Sequence, residues 1–86
     1  MATGVYSNTQ TMADDAAHRF ETSPKKLRYA YISVATKAMK FGNAAGQYYT
    51  VAAGSSIPVT DLDVSKLYFK NDAAGQNGTV TILGTL

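Results

Sequence analysis

The sequence predicts an all-β domain, a small antiparallel β-sandwich or barrel, and three observations carry that reading. Several short runs alternate unlike faces and are rich in β-branched and aromatic side chains. Clusters of Gly, Asn, Asp and Ser separate the runs. No stretch sustains a convincing helical period. Periodicity admits a jelly-roll-like topology without selecting it.

Residues 1–10 are small and polar apart from Val5 and Tyr6, so an extended N-terminal arm is expected there, with residues 11–86 forming a single sandwich domain. The arm has too few apolar side chains to offset a backbone ordering cost of about 1–2 kcal/mol per residue, and is expected to order against a neighbouring subunit. For residues 11–20 two readings compete. Thr11 with Asp14 resembles a weak capping box that would put Met12, Ala16 and Phe20 on one helical face. The alternative is a polar approach to a short strand at 17–20, preferred because everything after it is β.

Residues 27–34 alternate cleanly, with Ala30, Ile32 and Val34 inward. Residues 38–41 place Met39 and Phe41 on one side before the turn at 42–46. Residues 47–51 resume a strand with Tyr49 and Val51 inward. Ile57 and Val59 flank Pro58, which cannot donate to a ladder and so marks an edge strand or the start of a sheet. Residues 66–70 turn Leu67 and Phe69 inward, and 79–83 do the same with Val80 and Ile82. These inward residues make the expected core. An internal echo, Phe41-Gly-Asn-Ala-Ala-Gly-Gln47 against Phe69-Lys-Asn-Asp-Ala-Ala-Gly-Gln76, reads as two turns built from the same favourable residues, since nothing else repeats at that spacing.

The chain has 86 residues, room for one domain, and a domain of this size buries only about 60% of the surface its unfolded form exposes. Such marginal cores recruit disulfides, a metal or a partner. With no cysteine and one histidine, disulfides, thiolate sites and a histidine-rich zinc site within one chain are excluded. Oligomerisation remains, and a homo-oligomer is expected. Charged residues are 16% of the chain against about 25% in an average soluble domain, a composition suited to covered surfaces. A net charge of +2 gives little reason to expect nucleic acid or an anionic membrane as the main partner. The first ten residues lack the basic and apolar parts of a signal peptide, so a protein made inside the cell and left unprocessed is expected.

No motif points to catalysis, and neither a catalytic residue nor a cofactor is expected. His18 is accompanied by Asp14, Asp15 and Glu21 but by no motif-placed nucleophile, and reads as a surface histidine. Ser55 and Ser56 follow Gly54 without the second glycine of a nucleophile elbow. Gly42 and Gly46 are followed by no Gly-Lys-Ser/Thr, so they form no phosphate loop. The carboxylates Asp61, Asp63 and Asp72 superficially reproduce calcium-loop spacing, but Lys66 stands where that loop needs glycine, and no metal is expected.

The outward strand positions are more informative. Tyr29, Tyr31, Tyr48 and Tyr68 lie opposite the expected core residues, and tyrosine is enriched at protein interfaces because its ring buries area at low entropic cost. With Val5 and Tyr6 as anchors of the arm, these are the candidate protein-interface residues. Lys66, Tyr68 and Lys70 share a face, and Lys25, Lys26 and Arg28 precede the first clear strand, which leaves a small nucleic-acid-binding barrel as a minor alternative. The aromatic motif of an RNA-recognition or cold-shock domain is missing.

Residues 24–86 resemble small virion proteins of tailed bacteriophages, through Leu27-Arg-Tyr-Ala-Tyr-Ile-Ser-Val34, Tyr49-Thr-Val-Ala-Ala-Gly-Ser-Ser-Ile-Pro58, Asp61-Leu-Asp-Val-Ser-Lys-Leu-Tyr68 and Gly78-Thr-Val-Thr-Ile-Leu83. The resemblance implies a capsid decoration, or cement, protein. Such a protein is a small β-domain, often trimeric, that binds the major capsid protein on the exterior of the virion and stabilises the lattice. It extends equally to a tail, neck or fibre β-module of a phage particle.

Overall fold

A computed structural model describes residues 4–86. Eight strands follow one another: β1 Val5–Thr11, β2 His18–Arg19, β3 Lys26–Ala35, β4 Met39–Asn43, β5 Gly46–Val51, β6 Ser56–Asp63, β7 Tyr68–Asn71 and β8 Thr79–Thr85. They build two four-stranded antiparallel sheets, ordered β1-β8-β3-β6 and β2-β7-β4-β5. Every connection except β4–β5 passes from one sheet to the other. That winding is the double Greek key of a jelly roll, so the sandwich read from periodicity is present and its topology is the jelly-roll one.

The alternation of β3, β4, β7 and β8 puts Ala30, Ile32, Val34, Met39, Phe41, Phe69, Val80 and Ile82 into the space between the sheets, with Val51 and Leu67 beside them. Val64, fully buried, enters from a short 3-10 turn at Val64–Lys66. Asp63 caps that turn, its Oδ1 accepting from Ser65 N at 3.0 Å, Ser65 Oγ at 2.7 Å and Lys25 N at 3.2 Å. These bonds hold its carboxyl below the usual aspartate range. The turn takes Lys66 out of the strand expected at 66–70, while Leu67 and Phe69 still face inward.

The N-terminal segment corrects the expectation of a separate arm. Its first three residues lie outside the described ones. Val5–Thr11 pairs with β8 along its whole length, from Val5 opposite Thr85 to Thr11 opposite Thr79, and is a strand of the domain itself. Its inner face offers Tyr6, Asn8 and Gln10, two of them polar, and each finds a partner in the stretch before β3. The Tyr6 hydroxyl donates to Glu21, Asn8 Nδ2 donates to the same carboxylate at 3.0 Å, and Gln10 Nε2 reaches the Phe20 carbonyl at 3.4 Å. Burial, then the bond to Glu21, pushes the Tyr6 phenol up to about 12.

Residues 12–17 are irregular and lead into β2, so the strand reading of this region holds and the helical one does not. Met12 and Phe20 are buried, and Phe20 meets Phe69 edge-on at 5.8 Å and Tyr6 at 6.5 Å. Asp14 Oδ1 accepts from Ala16 N at 3.0 Å and lies 2.7 Å from His18 Nε2, the histidine bond first among the causes that hold its carboxyl low.

The two echoed turns do different work. Asn43 closes the β4–β5 hairpin by accepting from Ala45 N and Gly46 N. Asn71, buried, anchors the crossover from β7 to β8: its Oδ1 accepts from Gly78 N at 3.1 Å, and its Nδ2 faces Asp14 O, Asp15 Oδ1 and Asn77 Oδ1 at 2.8–3.1 Å. Like residues at like spacing thus serve one hairpin and one inter-sheet crossing.

Candidate protein interface

Cross-strand register assigns the outer face of the first sheet row by row, because paired residues share a face and alternate residues lie on opposite ones. One row runs Val5, Thr85, Tyr29, Thr60; the next Ser7, Leu83, Tyr31, Pro58; the third Thr9, Thr81, Ser33, Ser56; and the last Thr11, Thr79, Ala35. No residue in these four rows is charged; the sheet's charged side chains, Lys26, Arg28, Asp61 and Asp63, lie beyond the Tyr29 row, at the start of β3 and the end of β6. Hydroxyl pairs confirm the register: Thr9–Thr81 at 2.9 Å and Ser33–Ser56 at 2.8 Å.

The upper rows are the apolar end of this face. Val5 is 71% exposed, Tyr29 65%, Tyr31 58% and Leu83 51%. Between them lies a shallow apolar depression of about 270 Å³. Protein interfaces are depleted of charge at their centre and enriched in tyrosine, whereas an ordinary solvated surface carries about 25–35% charged residues.

Of the expected interface residues, Val5, Tyr29 and Tyr31 come together here. Tyr6 does not belong with them: it is 8% exposed and inside the sandwich, since alternation along β1 must bury it if Val5 is out. Tyr48 and Tyr68 sit on the second sheet, Tyr48 at a register shift between β5 and β4 and Tyr68 half-buried on β7. Leu83 was not singled out from the sequence, although the signal was there: Val80 and Ile82 point inward, so the leucine that follows them is apolar in the outward phase.

A second surface lies at one lateral edge. β5 and β6 end their respective sheets on the same side, and an apolar groove of about 420 Å³ opens between them over Ile32, Phe41 and Leu67. Tyr49, Ile57, Val59 and Leu62 wall it. Tyr49 faces inward as expected but is 60% exposed, and Ile57 and Val59 are only partly buried. Their expected place in the core is corrected for one reason: residues on edge strands have a neighbour on one side only. Val59 and Leu62 both reach the groove, three positions apart, because Asp61 adopts a left-handed φ of 53° that resets the alternation.

Among the described residues no three His, Asp or Glu side chains come together as a metal would require, and no helix is long and apolar enough to cross a membrane. His18 and Asp14 are both well exposed, at 47% and 58% of the side chain.

No family model and no curated protein matches the chain. Its fold is similar to that of an RmlC-like cupin-family protein with a double-stranded β-helix from Methanocaldococcus jannaschii (TM-score 0.65, 10% identity, 94% of this chain and 69% of that one). It is similar also to a cupin-superfamily protein from Desulfitobacterium hafniense (TM-score 0.63, 8% identity, 100% and 74%). ToxT from Vibrio cholerae, solved with an unsaturated fatty acid bound, aligns over 95% of this chain and 29% of its own at TM-score 0.61 and 12% identity. At such identities the likeness shows the fold alone: a small antiparallel sandwich of the double-stranded β-helix kind.

Proposed function

We propose that this is a non-enzymatic structural protein that docks on the subunits of a capsid lattice, the decoration role that the sequence resemblance implies, and that it docks through the outer face of its first sheet. The observation that supports this is the uncharged four-row face with Val5, Tyr29, Tyr31 and Leu83 exposed at one end. Four uncharged rows with exposed tyrosine, valine and leucine side chains favour contact with protein over contact with water. The test is a Tyr31→Glu/Leu83→Glu variant added to particles that lack the protein. The wild type is expected to bind in fixed copy number per particle. The variant, unchanged in its thermal transition, is expected to stay in solution. Equal attachment of both would remove this face from the function.

A second reading rests on the groove between β5 and β6, whose apolar walls suit a small apolar molecule. ToxT, 29% of whose chain shares this fold, was solved with a bound unsaturated fatty acid. Displacement of a fluorescent fatty acid, lost on Val59→Asp, is the expected signature. No uptake by the wild type discards this reading and leaves the docking one standing.

A further inference from the structure

The outer face of the second sheet differs from that of the first. Register places Arg19 opposite Tyr68, and Lys70 opposite Lys40, which is followed across the sheet by Thr50. Lys66 projects from the 3-10 turn next to them. Arg19, Lys66 and Tyr68 share a depression of about 290 Å³ with the β4–β5 turn. Two lysines directly opposite each other repel at a cost to the sheet. Lys40 has a counter-ion in Asp72 at 3.8 Å, and Lys66 lies near enough to Asp63 to be the last among the causes that hold that carboxyl low. Among the described residues no carboxylate lies within 4.0 Å of Arg19, Lys66 or Lys70.

Cations concentrated on one face, with mutual repulsion left in place, gain most from an anionic partner that desolvates them together. Single-stranded nucleic acid is favoured by several aromatic platforms in succession along a basic groove. This outer face carries two non-buried rings, Tyr68 among the cations and Tyr48 on the edge strand β5, which make no succession of platforms along one groove. Arg and Tyr are, however, the residue types over-represented at protein interfaces.

We infer that the outer face of the β2-β7-β4-β5 sheet is a second docking surface, for an acidic segment of a partner protein, held by Arg19, Lys66 and Lys70 around Tyr68. The two sheets have opposite outer faces, so a copy bound by its uncharged side keeps this one free. The inference stands whatever covers the first sheet.

The experiment is an NMR titration of the intact protein with a dodecapeptide of alternating Asp and Gly, and in parallel with an oligothymidylate of the same length. Amide shifts are expected at Arg19, Lys40, Lys66, Tyr68 and Lys70, fading as salt rises from about 50 to about 300 mM. Arg19→Glu/Lys70→Glu should weaken the peptide about tenfold or more, and Lys66→Glu, on the exposed turn, by a smaller factor. Tyr31→Glu/Leu83→Glu should bind the peptide as the wild type does, which separates this inference from the proposed docking of the first sheet. Absent shifts, shifts confined to other elements, equal binding by the charge-reversed variants, or tighter binding of the oligothymidylate would each overturn it.

Discussion

At the lateral edge where β1 and β2 end their sheets, the sandwich is shut. At the opposite edge, where β5 and β6 end theirs, it stands open. On the shut side Tyr6, Met12, Phe20 and Phe69 fill the gap, and side-chain bonds to Glu21, the Phe20 carbonyl and Asn71 tie the connecting segments down. On the open side Tyr49, Ile57, Val59 and Leu62 surround a groove that no described residue fills. The contrast teaches that a small domain has enough apolar side chains to close one flank well, and that the remaining flank is free to receive something else.

The comparison breaks most completely if β1 is removed. Deleting residues 1–10 takes away the neighbour of β8, the Tyr6 ring and the partners of Glu21, and the isolated domain is expected to lose its cooperative thermal transition. Calorimetry checks this; a transition within a few degrees of wild type would mean the strand is dispensable. Next in size is truncation on the shut side. Phe20→Ala, with the side chain 1% exposed, should cost about 3–5 kcal/mol in urea unfolding. The matching change on the open side, Tyr49→Ala, should shift stability by only about 0.5 kcal/mol. Equal losses at the two positions would show that the groove is closed in solution.

Two pH effects sharpen the same contrast, because the resolved shifts of Tyr6, Asp14 and Asp15 lie on the shut side. The Tyr6 phenol, raised from its ordinary 10.0 to about 12, gives a contribution complete below pH 10. It is lost as pH rises from 10 through 12, since the unfolded chain releases its proton first. Tyr6→Phe should flatten that alkaline decline and cost about 1 kcal/mol at neutral pH through the lost bond to Glu21. The bonds from Asn71 and then Gly75 hold the Asp15 carboxyl below 3.8, so its contribution is present above that value and fades as pH falls beneath it. Asp15→Asn should weaken the acid dependence slightly, the smallest effect of the set, read from urea midpoints on either side of pH 3.8.

Much of the fold was legible because its central strands obey a strict period. Ala30, Ile32 and Val34 on β3 and Val80 and Ile82 on β8 need only alternation to be placed. β1 was not legible, since its inner face is Tyr6, Asn8 and Gln10, and a polar residue reads as buried only once its partner is known. Those partners, Glu21 and the Phe20 carbonyl, are brought in by a loop that carries no periodic signal. Tyr49 failed differently: its direction followed from the period, but exposure depends on which strand ends the sheet. The uncharged outer face was half legible. Outward tyrosines could be read on β3, but their union with Val5 and Leu83 requires that β8 lie between β1 and β3, a pairing of distant segments that no local pattern encodes.

That insertion of β8 has a consequence for how the molecule is made. Thr79–Thr85 is synthesised last of the eight strands, yet it supplies the neighbour shared by β1 and β3. Until it emerges, both strands hold unpaired backbone edges, and the apolar face that Val80 and Ile82 complete stays uncovered. Folding is therefore bound to wait until synthesis has passed Thr85, with loop closure over most of the chain as the slow step. In that interval the exposed edges are open to pairing with other chains. The yield of soluble protein should then depend on how fast the nascent chain is delivered, and slower expression at lower temperature is the condition under which most of it reaches the sandwich.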